Sequence, residues 1–210
     1  MLTCAVPRDL DALGRVVHVD QRVFGKNTLS RPAAAAIFIK RPEIYAALFD
    51  PDGAVVGYLD VYPLQPIWGE RFIDGEICEA DFMPNMILER SESHDGCCFY
   101  AGSIVVDDRF DPISKSMMIA GLFKWHAHYL AAMVTQRTRL IMTVASARGA
   151  RLVEKIAASK LRDGRHRKDG LDIFGRPVTP AAIGQMHAAF SKLDIDGVIH
   201  LEFLHDSSVV

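Results

Sequence analysis

Hydrophobic residues concentrate most strongly in the middle of the chain, where they predict one strand and one long helix. The run Phe99–Val106 is rich in aromatic and β-branched residues and apolar on both faces, as expected for a buried central strand. A polar turn, Asp107–Pro112, leads into a helix predicted from Ser114 to Val134. Because this helix is apolar almost all round, we expect it to be largely buried. The unpaired N–H groups of its first turn would favour an anion.

Alternating and helical patterns predict a mixture of strands and helices elsewhere. The clearest element is a hairpin, because Asp50-Pro51-Asp52-Gly53 separates the apolar runs Ile44–Phe49 and Ala54–Tyr62. Strands and helices alternate after the central strand, so parallel pairing through right-handed crossovers is expected there. The other predicted elements are a strand Leu2–Val6, helices Arg8–Phe24 and Arg31–Lys40, a loop with at most one strand over Trp68–Asn85, a strand Leu140–Ala145, a helix Ala147–Leu161, a strand Leu171–Phe174, a helix Thr179–Leu193 and a strand Val198–Leu204.

Composition limits the class of protein. The 210 residues suit one domain over residues 1–210, and 50% of them are hydrophobic, which argues against disorder. A formal net charge of −2 gives no general attraction to nucleic acid or to an acidic membrane. No apolar run reaches the roughly 18 residues that a membrane span needs, and the N-terminus lacks a signal-peptide pattern. Cytoplasmic localisation is the default expectation, and a homodimer is left open.

Neither the cysteines nor the histidines form a metal-binding pattern, so no metal is expected. Cys4, Cys78, Cys97 and Cys98 include no C-x-x-C pair, and reduced thiols packed as small apolar groups are expected. A nucleophilic Cys97 or Cys98 is the alternative, which requires a base nearby in space. The two histidines of the long helix are two residues apart and cannot share one ion.

A basic segment lies between the last helices. A solvated turn is its simplest interpretation, and a clamp for phosphate groups or RNA is the alternative. The segment has no aromatic residue on which a base could stack, which argues against nucleic acid as a partner. Its members are Arg162, Arg165, His166, Arg167 and Lys168.

The central strand, turn and helix resemble the acetyl-CoA-binding motif of the GCN5-related N-acetyltransferases (GNATs). Ser103-Ile104-Val105-Val106-Asp107-Asp108-Arg109-Phe110 matches the strand end of that motif, and Asp111-Pro112-Ile113-Ser114-Lys115-Ser116 matches its pyrophosphate loop. Asp111 stands where the family has Arg or Gln, and Ser114 and Ser116 stand where it has Gly. The resemblance implies an α/β fold of the acyl-CoA N-acyltransferase type, with a mixed sheet of about seven strands and helices on both faces.

The resemblance also implies a site, with acetyl-CoA as co-substrate. Its pantetheine arm would lie between two splayed strands and its diphosphate on the amides that open the long helix. An acid just before or on the central strand often serves as the base, which selects Glu79 first, with Glu76 and Asp81 as alternatives. The residues implied to bind the cofactor are Ile104, Val105, Val106, Asp111, Ile113, Ser114, Lys115 and Ser116, with a backbone amide near Ile104 or Val105 facing the oxyanion.

Three functions follow from these observations. The first is acyl-CoA-dependent N-acyl transfer, with acetyl as the acyl group, to an amine of a small molecule, peptide or protein. The second is a non-catalytic GNAT-fold binding or regulatory protein that has lost the cofactor loop. It is favoured by Asp111, by the missing glycines and by the absence of the family's tyrosine from the helix Ala147–Leu161. The third is a cysteine-based enzyme using Cys97 or Cys98.

Overall fold

Strands and helices alternate along the computed structural model, which describes residues 1–25, 28–90, 92, 95–131, 133–135, 137–191, 195 and 197–203. The strands are β1 (Leu2–Ala5), β2 (Tyr45–Phe49), β3 (Val55–Leu64), β4 (Cys98–Val106), β5 (Arg139–Val144), β6 (Ser159–Arg162), β7 (Asp172–Pro177) and β8 (Ile199–Leu201). The helices are α1 (Leu10–Phe24), α2 (Arg31–Lys40), α3 (Pro66–Asp74), α4 (Pro112–Ala131), α5 (Ala147–Lys155) and α6 (Pro180–Ser191).

The described strands form one mixed sheet in the order β6-β7-β5-β4-β3-β2-β1-β8. Strands β4 and β5 pair in parallel, as do β1 and β8, and the other neighbours pair antiparallel. The parallel connection from β4 through α4 to β5 is the one that the strand–helix alternation predicts. The mixed α/β architecture is confirmed, with eight strands in place of about seven.

Successive side chains point to opposite faces of the sheet, so two hydrophobic clusters form. Within β2, Tyr45 and Ala47 belong to the cluster that contains α1, α2 and α3, whereas Ala46 and Leu48 belong to the cluster that contains α4. Helices therefore cover both faces, as expected. The predicted burial of the long helix is confirmed by Trp125, which is 2% exposed.

The segment Trp68–Asn85 differs from its prediction as a loop with at most one strand. It begins within α3 and continues through two 3-10 turns, Glu79–Asp81 and Pro84–Met86. Pro66 suits the first turn of α3, and Gly75, in the left-handed region at φ 79°, ends the helix. At nine residues, the helix is too short for its periodicity to stand out in the sequence.

The helix predicted over Ala147–Leu161 is also wrong in its second half. Helix α5 ends at Lys155, and Ser159–Arg162 becomes β6, antiparallel to β7. The chain reverses at Ala157, which has a φ of 54°. The helical spacing of apolar residues continues past this point, but pairing with β7 decides the structure. The predicted ends of the last helix at Leu193 and of the last strand at Leu204 lie outside the described residues.

Candidate active site

Strands β4 and β5 separate towards their carboxyl ends and leave a split in the sheet. Among the described residues, their pairing runs from Cys98 and Arg139 to Ala101 and Met142 and goes no further. Beyond that point β4 stays paired with β3, and β5 stays paired with β7. The β4 backbone from residue 102 onward therefore has no paired strand on its β5 side.

Strand β4 carries an irregularity beside this split. Leu59 pairs with Ile104 and Val61 pairs with Ala101, so Asp60 of β3 faces two β4 residues, Gly102 and Ser103. The Ser103 N–H donates to Asp60 Oδ1 at 2.7 Å. A Cβ at Gly102 would lie 2.6 Å from Asp60 Oδ1 and 3.1 Å from Glu79 Oε2, so a larger residue here would require these buried carboxyl groups to move. Two carboxyl groups therefore approach the β4 backbone where the split begins.

Glu79, the first-choice base, is one of these two groups. It lies on the 3-10 turn Glu79–Asp81 and is 7% exposed. Its Oε2 accepts a hydrogen bond from the Tyr100 hydroxyl at 2.9 Å, and its Oε1 is enclosed without a hydrogen-bond partner in the described part of the chain. Burial, followed by the negative charges of Asp60 and Asp20, raises the pKa of Glu79 well above its ordinary value. A buried carboxyl group with a raised pKa is a candidate for proton transfer.

Two further buried acids surround Glu79, and the sequence analysis missed both. Asp60 is 2% exposed and accepts a hydrogen bond from the Tyr62 hydroxyl at 3.1 Å. Burial and then the charge of Asp20 raise the pKa of Asp60 to about 8. Asp20, on the buried face of α1, accepts a hydrogen bond from Tyr58, and burial raises its pKa too. The signal was a charged residue at a core-facing position: Asp20 follows Val16 and Val17 on the apolar side of α1.

The alternative bases Glu76 and Asp81 have different surroundings from this buried acidic cluster, because each pairs with a basic side chain. Glu76 is more than half exposed and pairs with Arg71 at 2.8 Å. Asp81 accepts hydrogen bonds from Lys168 at 2.7 and 2.9 Å. Although partial burial raises the pKa of Asp81, the hydrogen bond from Lys168 holds it below its ordinary value. Both groups therefore act as surface ion-pair partners in this structure.

The basic segment 162–168 fixes the turn that carries Glu79. Arg162 pairs with Asp74 at 3.0 Å, and Lys168 pairs with Asp81. The guanidinium of Arg167 is buried, donates to the Phe72 carbonyl and to Asp169, and lies over the Phe72 ring at 4.7 Å. These contacts within the protein explain why basic residues concentrate in segment 162–168. They also hold the segment from α3 to Asp81 against the β6–β7 end of the sheet.

The start of α4, expected to hold the diphosphate, is capped by its own Asp111. Asp111 Oδ1 accepts from the N–H groups of Ile113 at 2.9 Å and Ser114 at 3.1 Å, and the Ser114 hydroxyl donates to Asp111 Oδ2 at 2.5 Å. These hydrogen bonds, led by the one from the Ser114 hydroxyl, hold the pKa of Asp111 below its ordinary value. The Ser116 hydroxyl donates to the Pro112 carbonyl, and Lys115 donates to Asp108. Two of the expected phosphate-binding amides are thus already paired.

The remaining expected cofactor residues line the split. Ile104, Val105 and Val106 are half-buried and follow the last β4 residue paired with β5. Ile104 and Val106 pack against the α4 cluster, and Val105 packs against the opposite one. Across the split, Thr143 of β5 is also half-buried, and its hydroxyl lies 3.1 Å from the Tyr100 hydroxyl.

Neither the cysteines nor His126 offers reactive chemistry. All four cysteines are buried and reduced, and burial raises the pKa of Cys97 to about 12, which disfavours a nucleophilic thiolate. His126 lies between the carbonyls of Leu122 and Ile44, and burial lowers its pKa to about 4. In the described ranges, no group of three or more His, Cys, Asp or Glu side chains is arranged to hold a metal. No described helix has the length and apolar character to cross a membrane.

Comparison with known proteins identifies the fold. No family profile and no curated sequence matches the chain, but solved structures do. The loading GNATL domain of CurA from Lyngbya majuscula superposes with a TM-score of 0.59 at 9% identity, covering 84% of this chain and 98% of that one. A mosquito arylalkylamine N-acetyltransferase (like 5b) gives a TM-score of 0.54 at 13% identity, covering 85% and 100%. The chain adopts the GNAT fold.

A third solved structure extends this likeness along the whole sequence. The CoA-dependent acyl-homoserine lactone synthase BjaI, with SAM and isopentyl-CoA, gives a TM-score of 0.51 at 11% identity. The match covers 100% of this chain and 96% of that one. The GNAT fold confirms the predicted architecture.

Proposed function

We propose that this GNAT-fold protein is an N-acyltransferase that moves an acyl group from an acyl-CoA thioester to a primary amine. The observation that carries the proposal is Glu79, a buried carboxyl group with an unpartnered oxygen and a raised pKa, where the β4/β5 split begins. Amine acylation needs a base, because an ammonium ion cannot attack a thioester. The neutral amine then forms the new C–N bond as the C–S bond breaks.

The two halves of the expected donor site differ in how well they fit acyl-CoA. The split is the proposed place of the pantetheine arm, because β4 has no paired strand on its β5 side there, and a backbone amide near Ile104 or Val105 is the proposed donor to the oxyanion. The start of α4 does not fit a diphosphate as it stands, because the Asp111 carboxylate occupies two amides and adds a negative charge. We therefore assign the diphosphate no part in the reaction. The second proton leaves the amine and reaches the departing thiolate through solvent, since α5 carries no tyrosine.

Substitution of Glu79 tests this proposal. With acetyl-CoA as donor and phenethylamine, spermidine and a lysine-containing peptide as acceptors, Glu79→Gln should lower kcat/KM about 100- to 10,000-fold, the usual contribution of a general base. In the unaltered chain, kcat/KM should rise with pH above the ordinary carboxylate range, because Glu79 must lose its proton to act. Glu76→Gln, at an exposed ion pair, should change little. Full activity of Glu79→Gln would contradict the assignment.

The competing function is a non-catalytic binding module, which the capping of α4 by Asp111 favours. Calorimetric titration with CoA separates the two functions. Micromolar binding of CoA, together with thiol release from acetyl-CoA, supports the acyltransferase. Absence of heat at millimolar CoA, together with no thiol release from acetyl-CoA, supports the binding module.

A further inference from the structure

Glu79 is too enclosed to take a proton from an acceptor directly. Its side chain is 7% exposed, its Oε2 lies beside Gly102 of β4, and its Oε1 is enclosed. A base in this position needs an intermediate group that reaches the split. A neighbour of Glu79 must therefore connect it to the β4/β5 split.

Tyr100 and Thr143 supply that connection. The Tyr100 hydroxyl donates to Glu79 Oε2 at 2.9 Å and lies 3.1 Å from Thr143 Oγ1. Tyr100 is 2% exposed, whereas Thr143 is half-buried and follows Met142, the last β5 residue paired with β4. The three groups thus run from the interior to the point where the strands part.

The hydrogen bonds that link Thr143, Tyr100 and Glu79 run in one direction. A tyrosine hydroxyl has one proton. When Glu79 is ionised, Tyr100 gives that proton to Glu79, so the Thr143 hydroxyl donates to the Tyr100 oxygen. The free lone pairs of Thr143 Oγ1 then accept from whatever occupies the split. Such an arrangement receives a proton at the split and delivers it to the carboxylate.

We propose that Thr143 and Tyr100 form a proton relay from the β4/β5 split to Glu79. The catalytic role of this relay depends on the proposed acyltransferase function. An acceptor ammonium gives a proton to Thr143, the Thr143 proton moves to Tyr100, and the Tyr100 proton moves to Glu79. The result is a neutral amine and a protonated Glu79 carboxyl, with both hydroxyls restored. Thr143 contacts the acceptor, and Tyr100 acts through its neighbours.

Other ionisable groups face Glu79 and must be kept constant in any test. Asp60 from β3 and Asp20 from α1 raise its affinity for a proton, and Asp169 adds a smaller effect in the same direction. Tyr45 and Tyr62 lie in the same cluster. None of these forms the bridge to Thr143. Variants confined to Tyr100 and Thr143 therefore test the relay itself.

The first measurement uses two acceptors that differ only in basicity. With acetyl-CoA as donor, phenethylamine is an ammonium ion at neutral pH, whereas its β,β-difluoro analogue is largely neutral. Thr143→Val should lower kcat/KM for phenethylamine about 100-fold or more, within the range of a lost proton-transfer step. For the fluorinated amine, Thr143→Val should lower kcat/KM only slightly, because this amine is already neutral and needs no base. Thr143→Ser should retain activity, and Thr3→Val, the same change on distant β1, should have no effect. An equal loss for both amines would overturn the relay.

The second measurement needs no activity. Carbon-13 NMR of glutamate carboxyl groups in the full chain follows the titration of Glu79 in wild type, Tyr100→Phe and Thr143→Val. Both variants should raise the pKa of Glu79, Tyr100→Phe more strongly, because a donor to the charged form is lost or weakened. An unchanged titration in Thr143→Val would overturn the relay. A changed titration without acetylation of any amine would support the connection to the split and contradict the acyltransferase function instead.

Discussion

At the scale of single residues, the interior keeps acidic groups at positions that normally hold apolar side chains. Asp20, Asp60 and Glu79 are all 7% exposed or less, and each accepts a hydrogen bond from a tyrosine. These hydrogen bonds satisfy part of each carboxyl group, but burial and mutual repulsion favour the protonated form. The cluster therefore couples the protonation of the site to the stability of the fold.

Asp60→Asn should flatten the dependence of stability on pH. The folded pKa of Asp60 is about 8, against about 3.9 in an unfolded chain, so the folded state holds a proton that the unfolded state releases. Its stabilising contribution is full below about pH 4 and is lost as pH rises to about 8. Urea denaturation across this range should show a smaller decline for Asp60→Asn than for wild type.

The control for these urea denaturation measurements is Asp52→Asn, at an exposed residue of the hairpin turn. It should leave the pH dependence of unfolding as in wild type. Equal slopes for wild type and Asp60→Asn would show that Asp60 is not held protonated in the fold.

At the scale of elements, the opening of α4 is where stability and ligand binding compete. The Asp111 cap satisfies two N–H groups of the helix and thereby occupies the donors that an anion would use. Ser30 caps α2 in the same manner, through Ala33 N, at a distance from the split. The two helices therefore offer a matched pair of caps with different expected consequences.

Removing the two caps should separate these effects. Asp111→Ala and Ser30→Ala should each lower the free energy of unfolding, because each removes a helix cap. Asp111→Asn keeps a capping oxygen without the charge, and should bind CoA more tightly than wild type in calorimetry. Ser30→Ala should leave CoA binding unchanged. If Asp111→Asn binds CoA no better than wild type, Asp111 is not what limits the diphosphate site.

At the scale of the whole molecule, one buried cation connects parts of the chain that are distant in sequence. Arg41, 1% exposed, donates to Glu43 at 2.9 Å, to the Leu88 carbonyl at 2.7 Å and to the Tyr129 hydroxyl on α4 at 2.6 Å. Glu43 also pairs with Arg90 at 2.7 Å. The end of α2, the chain before β4 and the body of α4 are thereby held together around the sheet.

Arg41→Met should destabilise the fold by about 3–5 kcal/mol, because it breaks a buried ion pair and leaves polar partners without donors. Guanidinium chloride denaturation measures this loss. Arg109→Met, at a pair with Asp107 whose arginine is 76% exposed, should destabilise the fold far less, because exposed ion pairs contribute little to stability. Similar losses for the two variants would mean that the Arg41 contacts contribute little beyond an exposed pair.

Local patterns were sufficient where one element decides its own conformation. Alternation and turn residues predicted the β2–β3 hairpin, which the antiparallel pairing of these strands confirms. The resemblance around Ser103–Ser116 predicted the fold, and Glu79 was selected through it. Local patterns failed at α3 and β6, where a short helix and an edge strand depend on contacts with the rest of the sheet.

The sequence by itself determined the central strand, the buried helix behind it and the α/β class, because hydrophobic periodicity is a property of each segment alone. Tertiary structure alone decided that Asp20, Asp60, Glu79, Tyr100 and Thr143 meet beside the split, since they come from separate elements whose pairing register sets the distances. It also decided the protonation of the acids, because desolvation and charge repulsion arise only when packing removes water and brings the carboxyl groups together.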